Sequence, residues 1–225
     1  MAAPTDAVRI EISDGLAIIR IDDGKANALS MALLDALGSA LDRAEREAKA
    51  VLLIGRPGRF SGGFDLGVMN EGGDAMARLV TTGGQLALRL YDFPMPVVIA
   101  CTGHALAMGA VLLLAVDLRL GAQGAYKIGL NEVAIGLALP TFAAELARER
   151  ISLRHLQRAT ALASVYDPLG AEEAGFLDRV VLPAELEEEA LAAARQLAAL
   201  HVGAHRLTKR MLRARAIETI RASLA

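Results

Sequence analysis

The chain has no tryptophan, 4% aromatic residues and a single cysteine among its 225 residues. So few aromatics leave no platform on which nucleic-acid bases would stack. One cysteine, Cys101, excludes an intrachain disulfide, reads as an inert buried thiol and suits a reducing, cytoplasmic setting. Charge of one sign is also lacking. Against 24 Lys and Arg stand 26 Asp and Glu, a formal net charge of −2, which argues against a nucleic-acid partner. The longest apolar run, residues 105–116, falls well short of the ~20 residues that cross a bilayer, so no membrane partner is expected. Residues 1–10 carry no apolar signal-like run. No HExxH, CxxC or GxSxG occurs and His155 stands alone, so neither a metal centre nor a serine nucleophile is expected.

Apolar residues make up 54% of the chain, enough for the core of one domain with a tail. Val8–Ile12 and Leu16–Ile21 read as strands joined at Asp14-Gly15, a hairpin signal. Ser30 is a plausible cap for a helix from Met31 to Glu45, with Leu33, Leu34, Leu37 and Leu41 on one face. Ala50–Ile54 and Val97–Cys101 read as buried strands, and Leu118–Gly121 and Ala125–Ile128 as shorter ones. Helices are predicted over Asp74–Tyr91, with Gly83-Gly84 as a weak point, and over Ala107–Ala115. Arg56–Arg59 is expected as a turn and Ser61–Asn70 as a glycine-rich loop, with Gly67–Gly73 a lid, a pocket wall or a solvated connection. This alternation implies an α/β fold with a mostly parallel sheet.

Beyond residue 140 the pattern is mainly helical: Phe142–Arg150, Leu153–Ala163, Pro168–Ala174, Ala184–Leu200 and Ala204–Leu224, with Arg179–Leu182 a short extended piece. Residues 1–140 therefore read as an α/β core and 141–225 as a helical region. Within the latter, His201, His205, Lys209, Arg210, Arg213 and Arg215 form a basic face, either solvated or turned toward phosphates.

Two segments share one form, an apolar strand running into a glycine-containing loop: Val51–Ile54 into Phe60-Ser61-Gly62-Gly63-Phe64-Asp65-Leu66, and Val97–Cys101 into Gly103-His104-Ala105-Leu106-Ala107-Met108-Gly109. Loops at the carboxyl ends of parallel strands gather ligands. Glycines let main-chain N–H groups approach closely, and two converging N–H groups make an oxyanion hole. Taken singly, each cluster also fits ordinary turn glycines.

Taken in order with Asn27-Ala28-Leu29-Ser30, Asp117-Leu118-Arg119, Asn131-Glu132-Val133-Ala134-Ile135-Gly136-Leu137 and Ala171-Glu172-Glu173-Ala174-Gly175-Phe176-Leu177-Asp178, these segments resemble the enoyl-CoA hydratase/isomerase (crotonase) family over residues 8–225. The resemblance implies a ββα spiral core with a C-terminal helical trimerisation region, a homotrimer or dimer of trimers, and an acyl-CoA thioester as substrate. No separate cofactor is implied, since CoA belongs to the substrate. Carried over by position, Gly62 and Met108 would donate their N–H groups to the thioester oxygen, with the Met108 side chain near the acyl group. Lys25, Ala26 and Ala28 would lie along the CoA chain, and Gly62, Gly63, Phe64, Asp65 and Leu66 on its adenine side. Asp65 also reads as a loop brace, and His104 as a packed, hydrogen-bonded histidine.

The acid–base positions split. Glu132 matches the second of the two glutamates used by the family's hydratases, whereas Val111 occupies the place of the first. Hydration of a C2=C3 bond needs a base for water and an acid for C2. Moving a double bond between C3 and C2 needs one carboxylate that carries a proton. Hydratase and isomerase both stay open at this point, as does a non-catalytic acyl-CoA carrier, since Val111 and Met108 make the pocket more apolar.

Overall fold

Positive φ at Asp14 and Gly15, 52° and 78°, folds β1 (Val8–Ser13) back along β2 (Leu16–Ile21) in antiparallel register. Two residues at positive φ match the strand twist of a tight hairpin, which is why Asp-Gly favours it. The computed structural model describes residues 7–225; the first six residues, and with them most of the stretch read for a signal, lie outside the described residues. Ser30 then opens α1 (Met31–Glu47), its side chain accepting from the Leu33 N–H at 3.3 Å. The helix buries Leu33, Leu34, Leu37, Ala40, Leu41 and Ala44 on one face.

Three similar passes follow, each laying a strand in a large sheet, then one in a small sheet, then helix. β3 (Ala50–Ile54) and β4 (Gly58–Ser61) lead into α2 (Leu66–Glu71) and α3 (Gly73–Tyr91). β5 (Val97–Cys101) and β6 (Gly103–Leu106) lead into α4 (Met108–Leu114). β7 (Leu118–Ala122) and β8 (Ile128–Gly129) lead into a single 3-10 turn, Val133–Ile135, and α5 (Thr141–Arg150). The large sheet has the order β1-β2-β3-β5-β7-β9, with β9 spanning Arg179–Val181, and is parallel from β2 onward. The small sheet, β4-β6-β8, is parallel throughout. This is the ββα spiral that the motifs implied.

Both faces of the large sheet are covered at its centre, so β3 and β5 are apolar without alternation. Ile19, Val51, Leu53, Val97, Ile99 and Cys101 face the main core, which α1, α3, α4 and α5 complete. Leu52, Ile54, Val98, Ala100 and Leu120 face a second cluster closed by Leu186, Ala190 and Ala194 of α8 (Leu186–Ala198). Cys101 is buried and unpaired, and burial pushes its thiol up to about 12, the inert state expected.

Several details depart from the expectations. The predicted turn and glycine-rich loop contribute β4 and α2, and β8 is confined to Ile128–Gly129. The short extended piece expected beyond residue 140, at Arg179–Leu182, is β9 and belongs to the large sheet of the core. After α6 (Leu153–Ala159) and α7 (Pro168–Ala174), β9 joins the large sheet beside β7 and α8 covers that sheet, before α9 (Val202–Ser223). α3 runs unbroken through Gly83-Gly84, the expected weak point. Among the described residues no helix is long and apolar enough to cross a membrane.

Candidate active site

The three strands of the small sheet run parallel, so their carboxyl ends share one edge. β4 pairs with β6 at Ser61 opposite Ala105, and β6 with β8 at Leu106 opposite Gly129. The chain leaving β4 is Gly62-Gly63-Phe64, that leaving β6 is Ala107-Met108, and that leaving β8 is Leu130-Asn131-Glu132. Sequence-distant candidates thus arrive together at the edge where parallel sheets place ligands.

The first two loops touch. A Cβ built on Gly63, whose φ is +94°, would fall 3.0 Å from the Ala107 Cβ and 3.4 Å from the Met108 nitrogen. One on Gly109 would fall 2.5 Å from the Ser61 carbonyl oxygen. Glycine at both places lets the backbones approach this closely. Met108 is the first residue of α4, and its N–H is one of the orphans every helix start leaves. Ala107 holds that turn at φ 47°, a strained value for a residue with a side chain.

In the first loop the N–H of the expected donor is already engaged. The Gly62 N–H is engaged by the Ala26 carbonyl at 2.8 Å, and the Gly63 N–H by the Ser61 Oγ at 3.2 Å. The next N–H along, that of Phe64, has no partner among the described residues, while its neighbours are tied by Leu29 N–H to Gly63 O (2.8 Å) and Asp65 N–H to Leu29 O (3.2 Å). The Met108 side chain is 1% exposed and packs in the core.

Asn27 fixes this loop to its neighbour. It is 0% exposed, and its Nδ2 donates to the carbonyls of Ile21 (2.9 Å), Phe60 (3.1 Å) and Arg59 (3.3 Å). Its Oδ1 accepts from the Asp23 N–H, and its own carbonyl accepts from the Ser61 Oγ. Lys25, Ala26 and Ala28 are thereby laid beside Gly62–Leu66, bringing together the two stretches expected along CoA. Asn27→Ala strands several buried main-chain acceptors at once. At ~1–3 kcal/mol for each buried group left unsatisfied, we expect a loss of about 3 kcal/mol, read as a lower urea midpoint with an unchanged slope.

Glu132 is half-buried just before the 3-10 turn, and the N–H groups of Ile135 and of Leu137 beyond the turn return to its carbonyl. Its Oε2 and the Asn131 Oδ1 are both buried without a hydrogen-bond partner. Burial raises the Glu132 carboxyl above the ordinary carboxylate range, an effect its own backbone N–H opposes. Val111 is 1% exposed in the core, so its position offers no proton carrier.

The chain's match to the family model for enoyl-CoA hydratase/isomerase runs over residues 11–224. The chain belongs to that family. Among its relatives in the enoyl-CoA hydratase/isomerase family is human enoyl-CoA delta isomerase 1, mitochondrial, 32% identical over 204 residues, covering 88% of this chain and 68% of the relative. A probable enoyl-CoA hydratase of Bacillus subtilis is 32% identical, covering 86% and 75%. A solved family protein from Pseudomonas syringae superposes with a TM-score of 0.96 at 42% identity, covering 99% and 96%. The names of these family members divide between isomerase and hydratase, so the residues of this chain must argue the reaction.

Other candidates make contacts within the chain. Asp65 caps α2 through the Gly67 N–H at 2.8 Å, and Leu66 is exposed on that helix. His104 accepts from the Lys127 N–H and lies edge-on to Tyr126. Sequence reasoning missed what the basic face does. Lys209 is buried, and it and Arg213 both meet Asp117, at 2.8 and 2.9 Å, while Arg210 meets Asp92. His201 accepts from the Ala204 N–H of its own helix. A cavity of about 410 Å³ lies beside this cluster rather than at the loops. No group of three or more His, Cys, Asp or Glu among the described residues is arranged to hold a metal.

Proposed function

We propose that this protein moves the double bond of a 3-enoyl-CoA to the 2-position, with Glu132 as the only proton carrier. One observation carries the choice: a single desolvated carboxylate with an unpartnered oxygen stands at the shared sheet edge, and the place of a second is filled by buried Val111. The Glu132 carboxylate removes a proton from C2 of the thioester. The C2–H electrons form C2=C3, the former C3=C4 electrons take the proton back at C4, and negative charge passes through the thioester oxygen between the two transfers. We assign the N–H groups of Phe64 and Met108 to that oxygen, in place of the Gly62–Met108 pair, because Gly62 is already bonded to Ala26. Preorganised donors of this kind supply the largest share of enolate stabilisation.

In this reading CoA enters as part of the substrate, along Lys25, Ala26, Ala28 and Gly62–Leu66, and no separate cofactor takes part. The protein works in the cytoplasm. Leu207, Met211 and Leu212, exposed on α9, support contacts between copies in a homotrimer or dimer of trimers. The test supplies a 3-enoyl-CoA and a 2-enoyl-CoA separately and follows absorbance of the conjugated thioester. Appearance of conjugation from the 3-enoyl substrate, without its loss from the 2-enoyl substrate, is expected. Rapid hydration of the 2-enoyl substrate would sink the isomerase assignment. Tight binding with no turnover of either would leave an acyl-CoA carrier.

A further inference from the structure

Gly83 sits in the interior of α3 with no positive φ to explain it. A glycine there costs about 1 kcal/mol relative to alanine in helix propensity, so its reason must be space. A Cβ at this position would lie 2.4 and 2.5 Å from Cε1 and Cζ of the Phe64 ring, and 3.6 Å from the Met108 Cε. These are the two residues whose main-chain N–H groups are assigned above to the thioester oxygen. Their side chains converge on one notch in one helix, and the notch is the missing side chain of Gly83.

We propose that Gly83 is a positioning residue for the oxyanion hole: the notch it leaves in α3 seats the Phe64 ring, with the Met108 side chain against it, and so fixes where the two donor N–H groups point. This deepens the reading above and rests on it. The ring occupies the notch edge-first, leaving no room for a methyl group without moving. The backbone on either side of Phe64 is tied by the hydrogen bonds of Gly63 and Asp65 to Leu29, while the Phe64 N–H itself has no partner among the described residues. A displaced ring therefore turns the peptide whose N–H is free. Gly84 provides the contrast. A Cβ there would meet Leu224 Cδ2 at 2.7 Å and Phe142 Cδ1 at 2.8 Å, atoms of the α9 end and α5 that belong to neither donor.

The experiment compares Gly83→Ala, Gly84→Ala, Phe64→Leu and the double variant Gly83→Ala/Phe64→Leu in the full chain, using a 3-enoyl-CoA. Leucine lacks the Cε1 and Cζ atoms that an alanine at position 83 would strike. Misplacement by ~1 Å costs on the order of 100-fold, so kcat of Gly83→Ala is expected to fall roughly 10- to 100-fold. KM should change much less. The double variant should recover most of the activity that Phe64→Leu alone retains. Gly84→Ala should lower the melting temperature while leaving kcat near wild type. Equal losses of kcat in the two alanine variants, or no recovery in the double variant, would overturn the seat and reduce Gly83 to ordinary packing. A crystal structure of Gly83→Ala reads the same question without turnover: a displaced Phe64 ring and turned peptide support the seat, and an unmoved ring refutes it. A wild-type protein inactive on both enoyl-CoA substrates would count against the proposed reaction alone, and the crystal structure would still decide the seat.

Discussion

Glu132→Gln is expected to lower kcat for 3-enoyl-CoA turnover by about 10²–10⁴-fold, the usual share of a general acid–base group, while acyl-CoA binding persists. Glutamine keeps the shape of the side chain and removes the proton-carrying oxygen, so any loss reports proton transfer rather than folding. Two further readouts follow from burial. Wild-type kcat/KM should fall on the acid side with a midpoint above the ordinary carboxylate range, because burial raises the Glu132 carboxyl and the base must be ionised. Stability should move the other way. A carboxyl raised in the folded state adds nothing unfavourable while it is protonated in both states. The cost of ionising it in the fold sets in as pH rises through its unfolded value and is complete above the folded one. Glu132→Gln lacks that cost. The variant should match wild type in acid and melt at a higher temperature near neutrality, an exchange of stability for function common at active sites. Residual activity within a few-fold of wild type would end the single-carboxylate account.

How much of this was visible in the sequence depends on how local each cause is. The Asp14-Gly15 turn, the Ser30 cap and the Pro168–Ala174 helix are decided by residues within a turn of one another, and all three stand as read. Glu132 was legible because its motif sits among others in order, although its desolvation is a property of the fold. The identity of the free N–H was not legible. Gly62 and Phe64 look equally able to donate, and what separates them is the Ala26 carbonyl, presented from a loop that buried Asn27 clamps to β4. What the glycine pair in α3 makes room for was hidden for the same reason. A glycine that weakens an isolated helix and one that admits a neighbour's ring are identical in sequence. β4 and β6 are four residues each, too short for strand alternation to register.

The basic face of α9 shows the same limit and leads to the largest stability effect we expect. Lys209 and Asp117 are 92 residues apart, so a helix-surface reading saw only repeated positive charge. In the fold Asp117 is the single acceptor for three donors: the Lys209 Nζ at 2.8 Å, an Arg213 nitrogen at 2.9 Å and the Val97 N–H at 2.8 Å. Arg213 also donates to the Tyr91 carbonyl and lies 4.4 Å from the Tyr91 ring centre. Burial pushes Lys209 down to about 8 even though Asp117 pulls upward, and it pushes Arg150 nearby down to about 10. The cluster therefore holds more positive charge than its surroundings solvate, and Asp117 is what makes it tolerable. Asp117→Ala leaves buried Lys209 and the Val97 N–H without an acceptor and Arg213 with only the Tyr91 carbonyl, so a loss of about 3–5 kcal/mol is expected, the range for breaking a buried pair by removing one partner. Lys209→Met should cost far less. It removes the group that resists burial, and Asp117 keeps Arg213 and Val97. Urea unfolding of both variants near pH 7 measures the difference, and equal costs would mean that Asp117 is one surface partner among several rather than the anchor of α9. The asymmetry should shrink as pH rises through about 8, where wild-type Lys209 begins to lose its charge and the cation left behind by Asp117→Ala can neutralise.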